Sequence, residues 1–122
     1  MIKVLVAEDD EVLASLLVRS LTNEHFDAHA AYDGIQTELE IKTWYPDIVL
    51  LDLLMPNKDG FGVLSDVRAD SQTLKLPIIV FSNLGESETI ARVKKFGVTE
   101  YFIKANTTPR EVIAKIKTMF PG

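Results

Sequence analysis

Three groups of charged side chains stand at the carboxyl ends of hydrophobic, strand-like runs. Glu8-Asp9-Asp10 follow Val4-Leu5-Val6-Ala7, Asp52 follows Ile48-Val49-Leu50-Leu51, and Lys104 follows Tyr101-Phe102-Ile103. In an open α/β sheet those ends face one crevice, so carboxylates and an ammonium far apart in sequence would meet there. Gathered carboxylates repel one another, and a hard divalent cation bound through oxygen relieves the repulsion. One carboxylate could then act as a phosphoryl acceptor. Asp52 lies between four apolar residues and Leu53-Leu54-Met55-Pro56, where an unpartnered acid would be costly to bury. Lys104 is long enough to reach that carboxylate or an incoming phosphoryl oxygen as a point charge. Ser82, after Pro77–Phe81, offers a hydroxyl from a fourth strand end.

Each of these residues also has a plainer reading. Asp10 or Glu11 can cap the helix that follows, since carboxylates are favourable at a helix N-terminus. Three consecutive acids exceed what a cap needs, however. A phosphate-cradling turn at this place would be glycine-rich and anion-attracting; this one repels phosphate unless a cation intervenes. Taken alone, Asp52 reads as a loop acid, Lys104 as a solvated lysine and Ser82 as an ordinary hydroxyl.

The elements that must position these groups follow from periodicity. Strand-like runs at Ile2–Ala7, Asp27–Ala31, Asp47–Leu51, Pro77–Phe81 and Glu100–Ile103 read as apolar throughout, as strands covered on both faces do. Between them run helical stripes: Leu13, Leu16, Leu17 and Leu21; Phe61, Leu64 and Val67; Ile90, Val93 and Phe96; Val112, Ile116, Met119 and Phe120. A further helix is expected over Ile35–Lys42, opened by an Asp33-Gly34 turn. Thr108-Pro109-Arg110-Glu111 combines a capping box with proline at the first helical position, and Gly97 is placed to close the fourth helix. Five βα repeats imply right-handed crossovers and a parallel sheet with helices on both sides. Pro121-Gly122 reads as a frayed end.

Bulk properties narrow the classes. A chain of 122 residues with 47% hydrophobic content is expected to be one domain, residues 1–122, able to bury a core without staples. No apolar run has the length needed to span a bilayer, and the amino terminus enters a strand directly, with no export signal. Zero cysteines exclude disulfides and thiolate metal sites. A cytoplasmic location is the default expectation. The net charge of −5 is uneven: residues 1–90 hold 6 basic and 16 acidic side chains, and residues 91–122 hold 7 and 2. The overall acidity argues against wrapping by nucleic acid, while the basic final third could mark a partner surface.

Val4–Glu11, Asp52 with Met55-Pro56 and Asp59-Gly60, Ser82 after the fourth strand, and Tyr101 with Lys104 together resemble the receiver domain of two-component response regulators, the CheY-like superfamily. The resemblance covers essentially the whole chain, and its strength lies in the order and spacing of motifs that are individually weak. It implies a flavodoxin-like, doubly wound (βα)5 fold with strand order 2-1-3-4-5. It implies Asp52 as phosphoacceptor, with Mg2+ held by Asp9, Asp52 and the backbone carbonyl of Leu54 and with Glu8 acting through water. Lys104 and Ser82 would contact the phosphoryl oxygens. The implied donor is the phosphohistidine of a histidine kinase or phosphotransfer protein, and the chain would catalyse only its own phosphorylation and slow dephosphorylation. Ser82 and Tyr101 would form the switch: the phosphoryl group draws the Ser82 hydroxyl in, and Tyr101 changes rotamer to fill the vacated space. That would re-shape the face of the fourth helix, fifth strand and fifth helix, the basic third of the chain. Arg92, Lys94, Lys95, Lys115 and Lys117 are expected to help select a downstream protein there, without direct contact to nucleic acid or membrane.

The chain departs from the family pattern in places. Ala105 stands where the family usually has a proline in a cis peptide. A cis bond before a non-proline residue costs roughly 3–4 kcal/mol, so a trans Lys104–Ala105 bond is expected. Asn83 follows Ser82 where alanine or glycine is commoner, narrowing access to the phosphoryl group. Leu54 and Leu84 occupy positions that carry polar groups in faster members. Two leucines cannot orient a hydrolytic water, which predicts a slowly hydrolysing acyl phosphate.

Other readings compete. An aspartyl phosphohydrolase would need a second acid two residues after Asp52, where Leu54 stands, and an FMN binder would not put Glu8-Asp9-Asp10 in its anion loop. An unphosphorylated receiver-like docking module shares the fold but gives no reason for the full set Glu8, Asp9, Asp52, Ser82 and Lys104. With no output domain in these residues, action through protein contacts is expected, as a single-domain regulator or phosphorelay intermediate, unless they are cut from a longer protein. His25 and His29, four apart, are expected to straddle a helix end and a strand rather than share a metal. Trp44-Tyr45 before Pro46 should pack a loop against the domain.

Overall fold

Alternate residues of each central strand point to opposite faces of the sheet, and both faces are covered. The computed structural model describes residues 1–121; Gly122, half of the expected frayed end, lies outside them. The chain runs β1 (Lys3–Ala7), α1 (Glu11–Asn23), β2 (Asp27–Ala31), α2 (Gly34–Trp44), β3 (Ile48–Leu51), α3 (Gly60–Ala69), β4 (Ile78–Ser82), α4 (Ser87–Lys94), β5 (Glu100–Ile103) and α5 (Pro109–Met119). A 3-10 turn, Lys104–Asn106, links the last two. The strands pair in parallel in the order β2-β1-β3-β4-β5. Val6 of β1 lies beside Leu50 of β3, and Ser82 of β4 beside Ile103 of β5.

Val4, Val6, Ile48, Leu50, Ile79 and Phe81 pack under α1 and α5, against Leu17, Leu21, Val112 and Ile116. The intervening Leu5, Val49, Leu51, Ile78 and Val80 pack under α2, α3 and α4, against Ile41, Val63, Leu64, Val67 and Val93. Burial on both sides is why β1, β3 and β4 read as continuous hydrophobic runs. The edge strand β2 corrects that expectation. Its Asp27-Ala28-His29-Ala30 is only half buried, and only Ala31 is fully covered. The α1 stripe also needs correction: Ala14, Leu17 and Leu21 face the sheet, Leu13 is half buried and Leu16 turns outward.

Local signals set the boundaries. Asp10 caps α1, accepting from the amides of Val12 and Leu13, as its plainer reading anticipated. Thr108 and Glu111 form the expected capping box at α5. After α4 the chain turns through Gly97 at φ +71°, a backbone region that favours glycine, and the Gly97 amide donates to the Lys94 carbonyl. Trp44 ends α2 and stacks on His29 with centroids 3.6 Å apart, while exposed His25 sits in the turn after α1.

Arg68 in α3 clasps the far end of the sheet, a role with no signal in the sequence. Its guanidinium donates to the carbonyls of Phe96 at 2.6 Å, Leu76 at 2.8 Å and Thr73 at 3.3 Å, joining the α3–β4 and α4–β5 connections. Replacing it strands those partly buried acceptors. Arg68→Met is therefore expected to lower stability by about 2–3 kcal/mol, read as a shift in urea midpoint at unchanged slope; an unshifted midpoint would refute the clasp.

Candidate functional site

Every charged member of the site leaves a strand at its carboxyl end. Parallel pairing of β1 with β3 puts Ala7 beside Leu51, so the residues that follow, Glu8 and Asp52, emerge next to each other. The Asp52 amide donates to the Ala7 carbonyl at 3.0 Å and the Glu8 amide to the Ala31 carbonyl at 2.9 Å, which anchors both backbones. The side chains of both acids are almost wholly buried, 5% and 3% exposed, whereas Asp9 is open to solvent. One carboxylate oxygen from each of Glu8, Asp9 and Asp52 lies within 4.8 Å of the others.

Lys104 bridges the buried pair. Its Nζ stands 2.6 Å from Glu8 Oε1 and 2.9 Å from Asp52 Oδ2, and 5.8 Å from the centre of the Phe81 ring. The reach to Asp52 was anticipated; the tighter contact with Glu8 was not, because spacing along the chain does not reveal which carboxylate is nearer. Burial pushes the Glu8 carboxyl up to about 7, against the opposing pull of the Lys104 hydrogen bond. Burial alone would lower the Lys104 ammonium, but hydrogen bonds to Glu8 and Asp52 outweigh it, and the net shift is upward. A desolvated carboxylate cluster served by one ammonium is electrostatically under-compensated. Its all-oxygen donor set suits a hard divalent cation, so the acidic trio could bind a metal.

Around this centre the remaining residues fall into place. Leu54, 50% exposed at the rim, donates its amide to Asp52 Oδ1 at 3.1 Å. Ser82 is fully buried, and its Oγ accepts the Leu84 amide at 3.4 Å. Tyr101 is already tucked inward, 9% exposed, donating its hydroxyl to the Leu84 carbonyl at 2.6 Å. Burial first, then the charges of Glu86 and Asp52, raise that phenol above its ordinary range. Leu84 therefore touches both expected switch residues through its backbone, a link that side-chain identity could not disclose. Asn83 is exposed at the mouth. Among the described residues no peptide is cis, so the Lys104–Ala105 bond is trans as expected.

The basic third of the chain is less uniform than expected. The Arg92 guanidinium lies 4.6 Å from the Phe61 ring centre, towards α3, and Lys117 pairs with Glu24 of α1 at 2.9 Å. Lys115 reaches Glu100 of β5 at 3.9 Å. Since residues two apart on a helix are turned about 200° from each other, Lys94 stands on the side of α4 roughly opposite Arg92.

Known proteins share these features. The model of the response regulator receiver domain matches residues 4–117. The phosphate regulon transcriptional regulatory protein PhoB of Rhizobium meliloti is 32% identical over 117 residues, covering 96% of this chain and 51% of PhoB. The transcriptional regulatory protein KdpE of Staphylococcus aureus is 35% identical over 102 residues, covering 84% of this chain and 43% of KdpE. The chain thus spans about half the length of these curated relatives. The solved receiver domain of Francisella response regulator 1452 superposes with a TM-score of 0.89 at 28% identity, over 98% of this chain and 96% of that one. The family match over residues 4–117 and the shared fold agree: the chain belongs to the receiver domain family of two-component response regulators, which are signalling domains rather than conventional enzymes.

Proposed function

We propose that residues 1–122 act as one receiver unit that takes a phosphoryl group onto Asp52, in a magnesium-dependent reaction, from the phosphohistidine of a histidine kinase or phosphotransfer protein. The observation that carries this reading is the desolvated Asp52 carboxylate with Lys104 Nζ at 2.9 Å and two further acids at hand. Asp9, Asp52 and the Leu54 carbonyl would hold Mg2+, with Glu8 acting through water. When bound, Mg2+ offsets charge on the phosphoryl oxygens during in-line transfer. An Asp52 carboxylate oxygen attacks phosphorus as the P–N bond to the donor imidazole breaks, and the bonding pair stays on the ring nitrogen. The Lys104 ammonium and Ser82 hydroxyl donate to the transferred oxygens, and the chain catalyses only this transfer and a slow hydrolysis. A docking module that is never phosphorylated would have no use for two desolvated acids around a lysine.

The bonds at Leu84 support the switch reading. Drawing Ser82 Oγ towards a phosphoryl oxygen competes with its bond to the Leu84 amide, and the Leu84 carbonyl is the acceptor for Tyr101. Tyr101, already inward, would respond through that shared residue, and with it the face of α4, β5 and α5. Lys94 and Lys115 belong to that face, whereas Arg92 and Lys117 are engaged with α3 and α1. We place the protein in the cytoplasm; no helix among the described residues is long and apolar enough to cross a membrane. Its net charge of −5 disfavours direct binding of these residues to a phosphate backbone.

Four expected outcomes test this. Acetyl phosphate with Mg2+ should give a labile adduct that Asp52→Ala abolishes; a label that survives the substitution or chelation of the metal would refute the reading. The adduct should outlast that of a Leu54→Asn variant, because leucine cannot orient water, and equal lifetimes would contradict this. Because folding raises the Glu8 carboxyl above its unfolded value, the folded state holds that proton more tightly. Its stabilising contribution is full below about 4.5 and lost as pH rises through about 7. In chelator, urea midpoints should therefore fall between pH about 5 and about 8, and Mg2+ should restore the loss at the higher pH by binding only the folded state. Glu8→Gln should flatten the profile; an unchanged slope in that variant would assign the effect elsewhere. Finally, the double substitution Lys94→Gln, Lys115→Gln should weaken capture of the downstream protein more than Arg92→Gln, Lys117→Gln does, and the opposite ranking would move the recognition face.

A further inference from the structure

The loop that carries Asp52 and Leu54 is tied to the start of α2 by bonds that the proposed chemistry does not use. Asp33 caps α2 with Oδ1, which accepts the Gln36 amide at 2.7 Å, and its Oδ2 accepts from Asn57 Nδ2, also at 2.7 Å. One residue further along each segment, the Gly34 amide donates to the Lys58 carbonyl at 2.9 Å. A Cβ at position 34 would stand 2.2 Å from that carbonyl oxygen, so only glycine permits the approach. The Lys58 ammonium then spans Glu38 of α2, at 2.6 Å, and Asp66 of α3. Asn57 itself has φ +67°, a left-handed conformation that asparagine tolerates better than most residues. The rest of the loop is fastened at its roots, where the Gly60 amide donates to the Leu53 carbonyl at 2.9 Å. Its tip is held from the α2 side, by the Lys58–Asp66 pair on α3, and through the short turn from the Lys58 amide to the Pro56 carbonyl.

We propose that Asp33 and Asn57 are positioning residues for the metal site: their side-chain bond, together with the Gly34–Lys58 bond, fixes the path of residues 54–58 and so the place at which the Leu54 carbonyl is offered to Mg2+. This rests on the functional reading above. Neither side chain touches the reacting atoms. They act through the loop, as outer partners of metal ligands do, and the loss of such a partner costs about 10–100-fold in metal affinity. The same bonds make α2 the helix coupled to events at Asp52 on this side of the sheet.

The test is a direct Mg2+ titration of the full chain, by calorimetry or backbone amide shifts, with no phosphodonor present. Asn57→Gly keeps the left-handed backbone and the net charge but removes the donor. Its affinity for Mg2+ should fall on the order of 10-fold, with faster hydrogen exchange at the Gly34 and Gly60 amides in the metal-free protein. Asn57→Asp sets two carboxylates against each other and should also weaken binding. The exchange Asp33→Asn with Asn57→Asp reverses donor and acceptor at unchanged net charge and should recover most of the affinity. A merely structural role would shift the thermal midpoint of these variants without this pattern in dissociation constants. Asn57→Gly binding Mg2+ as tightly as the parent, or a reciprocal exchange no better than Asn57→Asp, overturns the positioning role and leaves the function standing. A parent protein that binds no Mg2+ overturns both.

Discussion

Glu8 and Asp52 are two carboxylates removed from water within reach of each other, and the Lys104 ammonium is the charge that makes their burial tolerable. Burial opposes the charged forms of Glu8 and Lys104, and their pairing, with the Asp10 amide on Glu8, offsets part of that cost. The balance is incomplete, as the upward shift of Glu8 shows. A site left short of positive charge could take up a cation. On the proposed function, the Lys104 ammonium 2.9 Å from Asp52 would stabilise the phosphoryl oxygens that this carboxylate takes on.

The scaffold exists to keep that arrangement fixed. Parallel pairing of β1 with β3 brings the two acids out side by side, and the β4–β5 pairing places Ser82 next to Ile103, the residue before Lys104. Both faces of these strands are packed, so the strand ends have little freedom to drift. The other parts of the site sit on connections: the β4–α4 segment, where Leu84 serves Ser82 and Tyr101 at once, and the loop after Asp52, whose tip is tied to α2. On the proposed function, strands packed on both faces would hold the reacting atoms still while loops at their carboxyl ends pass on a change at Asp52.

Much of this was legible in the residues. Continuous apolar runs marked β1, β3 and β4 because strands covered on two faces need no polar alternation, and Thr108 through Glu111 announced α5 because its capping chemistry is local. The edge strand β2 was legible at its bounds, Asp27–Ala31, but not as apolar throughout: its open side demands no hydrophobic run, and Asp27 and His29 interrupt the pattern. Arg68 gave no warning, since its partners are carbonyls, which every residue possesses. Arg92 and Lys117 were grouped with the basic face by proximity in sequence, yet helical rotation sends one to Phe61 and the other to Glu24.

By itself the sequence determined the inventory: which strand ends carry acid, ammonium and hydroxyl, and that leucine rather than a polar residue stands at positions 54 and 84. Side-chain chemistry and hydrophobic period are properties of short segments, so they survive without coordinates. Only the tertiary structure decided that Lys104 binds Glu8 more closely than Asp52, that Tyr101 lies inward on the Leu84 carbonyl, and that Asp33 holds the tip of the loop after Asp52. Those are contacts between segments distant in the chain, several of them made by backbone atoms. Their geometry is set by how the packed sheet aligns its ends, which no local pattern encodes.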